Sequence, residues 1–116
     1  METGESAPEL DLYRVRQAFG DDEEAVQEVI DEWLGFCKEA LVRLREGMGA
    51  GDHKEVWEAA HGIKGSSATV GATEAAALAK EVEMLGRGGG SWEAIAPLVD
   101  RLEARIEALR KSLKGA

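Results

Sequence analysis

The sequence predicts an all-α fold: an antiparallel, up-down-up-down four-helix bundle with a short N-terminal helix capping one end. Three observations carry that prediction. Apolar residues recur at steps of three and four along nearly the whole chain, the period of helices with one buried face. The 14 glycines are gathered into breaks, with Gly47, Gly49 and Gly51 in one group and Gly86, Gly88, Gly89 and Gly90 in another. No segment alternates apolar and polar residues as a half-buried strand does. Short glycine-rich turns favour antiparallel neighbours, and steps alternating between three and four suit near-parallel packing.

The elements follow in order. Residues 1–7 are expected to be flexible. A short helix over about 8–19 would place Leu12, Val15 and Phe19 on one side, with Pro8 in its first turn, and would lie across one open end of the bundle. The first bundle helix, 22–49, carries the stripe Val26, Ile30, Trp33, Cys37, Leu41, Leu44 and Met48. The second, 52–70, opens at Asp52 with Glu55 three residues on, the spacing of a capping box. It continues through Val56, Ala59, Ala60, Ile63, Ser67 and Val70. Helix 72–86 aligns Ala75, Leu78, Val82 and Leu85. Helix 91–113, with Ser91 as N-cap, aligns Ile95, Leu98, Val99, Leu102, Ile106, Leu109 and Leu113. The reading is of one domain over 1–116, with no internal repeat.

Composition narrows the function. A net charge of -9 and a pI near 4.7 argue against nucleic acid, whose phosphates need clustered Lys and Arg, and against anionic membrane surfaces. No run reaches the roughly 18 apolar residues of a spanning helix, and METGESAPEL has no apolar signal-peptide core. The lone Cys37 can form no internal disulfide and suits a reducing cytosol. A cytoplasmic protein is expected.

One stretch runs against the pattern. AHGIKGSS, residues 60–67, places Gly62 and Gly65 inside a helix, where each glycine costs about 1 kcal/mol relative to alanine. At about 100° per residue, Val56, Ala59, Ala60, Ile63, Ser67 and Val70 share the core arc, and His61 points away from it. Trp57 and Ala68 lie near His61, Gly65 lies one turn beyond, and Lys64 stands at the border. The missing side chains would uncover an imidazole that something large must approach. Close helix packing would instead put glycines on the core side, and these are not there.

The stretch AHGIKGSSATVGATEAAALAKEVEMLGR resembles the histidine-containing phosphotransfer (HPt) domain of phosphorelays. The shared features are His61, Ile63, Lys64-Gly65-Ser66-Ser67, Gly71, and a following helix through Leu78 and Val82 to Glu83. The likeness extends to the acidic turn Gly20-Asp21-Asp22 and to Ala50-Gly51-Asp52 before the histidine helix. It implies a phosphocarrier rather than an enzyme. His61 would accept a phosphoryl group from a receiver-domain aspartate and pass it to a second receiver. Lys64 would neutralise phosphoryl oxygens, Gly65 would admit the partner, and Glu83 would orient the imidazole. The expected partners are response-regulator receiver domains, including that of a hybrid histidine kinase. Mg²⁺ would sit on the receiver, so the chain needs no cofactor or metal of its own; it carries no nucleotide-binding or kinase motif. Trp57, Ala68, Val15 and Phe19 would form the docking surface of a monomer.

Two other readings compete. The same bundle could bind receivers without transferring. Alternatively, Glu58-Ala59-Ala60-His61 is an E-x-x-H of the kind used in metal-binding carboxylate bundles, although those need two inward-facing copies. Cys37 is expected in the core, Ser66 and Ser67 tied into the bundle, His53 exposed, and the runs Asp21–Glu24 and Glu81–Glu83 solvated.

Overall fold

A computed structural model describes residues 10–113. Among them the regular structure is five α-helices and no strand: α1 Tyr13–Phe19, α2 Glu23–Ala50, α3 His53–Thr69, α4 Thr73–Arg87 and α5 Trp92–Leu113. The long helices meet in sequence order, α2 with α3, α3 with α4 and α4 with α5, and α5 also meets α2. They form a helical bundle around the expected apolar stripes, with Leu44, Val56, Ile63, Val82, Ile95, Val99 and Leu102 fully buried.

Helix starts are set by short polar side chains. Asp22 accepts the Ala25 N–H at 3.1 Å, Asp52 accepts the Glu55 N–H at 3.0 Å, and Ser91 Oγ accepts the Ala94 N–H at 3.1 Å. Each satisfies a backbone donor that the helix itself cannot. The capping box expected at Asp52 is only half made. The Glu55 carboxylate bonds Arg43 of α2 at 2.8 Å, and the Asp52 N–H goes to Gly47 O at 2.8 Å. A charge-assisted pair between helices outcompetes the return to a backbone amide.

The closest helix pair is α3 with α4. Ala59, Ala60, Ala75 and Ala79 are buried there with Gly86, and small residues let two backbones approach. An added Cβ at Gly86 would lie 2.9 Å from Trp57 Cβ. Inside the bundle, Trp33 Nε1 donates to Ser67 Oγ at 3.0 Å, which satisfies both buried polar groups. Burial pushes the Cys37 thiol up to about 12 against a smaller opposing hydrogen bond with Ser67, leaving an unreactive core side chain.

The N-terminal helix is shorter than 8–19. Pro8 and the flexibility expected of residues 1–7 lie outside the described residues. Residues 10–12 are not helical, because Asp11 is tied elsewhere: its N–H donates to Gly71 O at 2.9 Å and its carboxylate accepts the Tyr13 N–H at 3.1 Å. Gly71 has φ +79°, and a Cβ there would stand 1.7 Å from Asp11 O. This one glycine therefore serves both the turn and the crossing chain. Val15, expected on the docking surface, is buried with Val26 and Ile30. A seven-residue helix has one apolar side, and α1 uses it to fasten itself to α2. Leu10, Leu12, Leu34 and Leu113 pack round that cluster, so residues 10–15 draw together the start of α2, the α3–α4 turn and the end of α5.

His53, expected to be exposed, is half-buried. Its ring stacks on Trp92 with centroids 4.1 Å apart, and its Nε2 lies 2.8 Å from Gly90 O. None of the described helices is long and apolar enough to cross a membrane.

Candidate functional site

The intimate α3–α4 pair fixes the position of a polar cluster on its outer side. His61 stands on α3 with its side chain 58% exposed, while Glu83 of α4 is only 6% exposed. His61 Nδ1 lies 2.9 Å from Glu83 Oε2, Lys64 Nζ lies 2.8 Å from Oε1, and Arg87 Nε donates to Oε2 at 3.0 Å. Lys64 follows His61 by one turn and Arg87 follows Glu83 by one turn. Each helix thus presents a pair of neighbours on one face.

Electrostatics settle the proton positions. Burial alone would raise the Glu83 carboxyl. The hydrogen bonds from Lys64, Arg87 and His61, with the Lys64 charge, outweigh it and hold the group at about 2. An ionised carboxylate only accepts hydrogen bonds, so His61 Nδ1 supplies the proton in their contact. In the neutral ring the lone pair then belongs to Nε2, on the edge away from Glu83. The site can do nucleophilic chemistry at that atom, beside two cations suited to an anionic electrophile.

Arg87 is held from two sides. Besides bonding Glu83, its guanidinium carbon sits 3.8 Å from the centroid of the Trp57 ring, a cation–π stack. Trp57 itself is half-buried and forms the platform under Arg87. Gly65 is exposed, and an added Cβ would meet nothing within 4 Å, so the surface beside His61 is open. Ala68 and Phe19 are exposed as expected, whereas Val15 does not reach the surface. Ser66 Oγ bonds back to Ile63 O at 3.2 Å, and Ser67 serves the core.

Two neighbours of the site escaped the sequence reading. Arg87 could have been found as the i, i+4 partner of Glu83. Phe36 of α2 lies outside its helix's apolar stripe, which signals exposure; it is 44% exposed and its ring tip abuts Gly62. The acidic run at 81–83 also divides, Glu81 facing solvent and Glu83 buried. Glu58 of the E-x-x-H approaches Arg43 at 3.9 Å and Lys54 at 4.0 Å. Among the described residues no three His, Cys, Asp or Glu side chains gather in a metal-holding group.

A family model described as Hpt domain matches residues 14–112. No curated protein and no solved structure matched the chain. The matched span takes in the whole cluster around His61 and all four long helices to within one residue of their end. Hpt domains are phosphocarriers that act in phosphorelays and interact with the receiver domains of response regulators. With nearly its full length inside that match, the chain belongs to the Hpt family and has a histidine phosphotransfer role in two-component signalling.

Proposed function

We propose that His61 is the phosphoacceptor, loaded by a receiver-domain aspartyl phosphate, such as that of a hybrid histidine kinase, and unloaded onto a second receiver. The observation that supports this most is an imidazole exposed to a partner yet held by its Nδ1 on a buried carboxylate. The Nε2 lone pair forms the new N–P bond while the P–O bond to the aspartate breaks and the carboxylate leaves. No proton has to move. The ring acquires positive charge as it is phosphorylated, and Glu83 stabilises that charge through Nδ1–H. Most of the remaining work is positioning.

Mg²⁺ belongs with the receiver's aspartates in this reading. The donor set around His61 does not suit a divalent cation, because both oxygens of its one carboxylate are already taken by Lys64, Arg87 and the ring. The same reading takes the long helices as antiparallel, up-down-up-down, in a single-domain, cytoplasmic monomer. Its test is a transfer profile against purified, phosphorylated receiver domains at short times. Label arriving on His61 supports it; a stable complex with no label moved would leave a receiver-binding bundle instead.

Two substitutions separate the parts. Lys64→Ala should slow transfer by about tenfold in rapid-quench labelling without stopping it, the scale of one charge-assisted hydrogen bond. Gly65→Arg should leave the melting temperature unchanged or higher, since its space is empty in the free protein and arginine is the better helix former. Its transfer from a receiver should nonetheless collapse. Normal transfer by that variant would remove the access argument while leaving His61 untouched.

A further inference from the structure

We propose that Phe36 is the apolar anchor for the receiver domain, and that Gly62 is kept bare to seat it. The inference rests on His61 being the phosphoacceptor. Phe36 is one of two phenylalanines in the chain, and it leaves 44% of its surface in water. Its ring tip lies against the backbone of Gly62: an added Cβ there would stand 2.9 Å from Phe36 Cζ and 3.5 Å from Cε2. Gly62 is not among the glycines with positive φ, so its backbone is one that alanine adopts. No turn requires this glycine, and the ring of Phe36 is the one obstacle to a methyl group.

Position gives the exposed ring its occupant. Gly62 adjoins His61, and a receiver that brings an aspartyl phosphate to Nε2 must cover the surface around that atom. Phe36 flanks this surface from α2, as open Gly65 flanks it along α3. Aromatic side chains at the centre of an interface carry much of its binding energy and exclude water from the polar centre they border. The partner is therefore a receiver whose active-site edge offers an apolar patch next to its aspartate.

The test uses two phosphodonors. Phosphoramidate is small enough to label His61 without docking, whereas draining the label requires a receiver, taken as whichever of a purified panel drains the parent fastest. Phe36→Ser should accept label from phosphoramidate at the parental rate, while its transfer to the receiver falls about tenfold or more, through KM. Gly62→Ala should melt higher than the parent, because alanine favours the helix and the flexible ring tip can yield. It should nevertheless transfer several-fold more slowly. The double variant should be no slower than Phe36→Ser alone. Parental transfer by Phe36→Ser, parental transfer by Gly62→Ala, or additive losses in the double variant would each overturn the proposal. A parent that takes no label from phosphoramidate would instead bring down the His61 reading, and this inference with it.

Discussion

His61→Gln is expected to take up no phosphate from a phosphorylated receiver, a loss of at least about a thousandfold, while remaining folded. The amide has no nucleophilic lone pair on nitrogen, so no N–P bond can form. The fold should tolerate the change because the side chain is mostly in water and contributes no apolar packing to the core. Substitutions of that kind usually stay within about 0.5 kcal/mol, or a few degrees in melting temperature. Radiolabel in the gel band of this variant, at anything near the parental level, would refute the assignment. Unfolding by circular dichroism would show that the ring has a structural role beyond the one described.

Glu83→Gln should have the second largest effect, and it should act on both chemistry and stability. The amide oxygen still accepts from Nδ1, but it cannot balance positive charge on the ring, nor satisfy both Lys64 and Arg87. Transfer should slow by roughly tenfold to a hundredfold, as expected for losing charge-assisted hydrogen bonds. The pH dependence has a definite sign. Glu83 titrates at about 2 in the folded protein, against an ordinary 4.5, so the unfolded chain takes up the proton first. Its contribution is complete above about pH 4.5 and disappears as the pH falls toward 2. Over that window the parent should lose on the order of 2 kcal/mol more than the variant, somewhat less than the shift alone implies because its cationic partners keep some solvent. Contributions from Glu23, Glu55 and Glu107, which are also lowered, cancel in the comparison. Parallel urea-unfolding curves for the two proteins from pH 5 to pH 2.5 would contradict the assigned charge of Glu83.

What could be read in the sequence follows the range of the interactions involved. Periodicity and caps are local, and the four long helices start and stop within a residue or so of the expected positions. The outward face of His61 also followed from rotation per residue alone. Where the reading failed, a partner distant in sequence decided the outcome. Val15 is buried because Val26 and Ile30 receive it, and residues 10–12 stay unwound because Gly71 holds Asp11. His53 is covered by Trp92, 39 positions away. Gly62 lies off the core arc, where the wheel places it, and the side chain that its bare backbone faces is the exposed Phe36 of α2, a neighbour that no periodicity along α3 could reveal. Glu83 shows the same limit: an acidic run looks solvated until three donors converge on one member of it.

Beneath the ring, two cations share one carboxylate, so the cluster has a single uncompensated positive charge when the imidazole is neutral. In the proposed transfer the imidazole itself becomes cationic as Nε2 takes up the phosphoryl group, so the ring and that surplus together set two positive charges against the about two negative charges of the phosphoryl oxygens. On that reading the loaded site is close to neutral overall, and the cargo is held without a large excess of charge on either side.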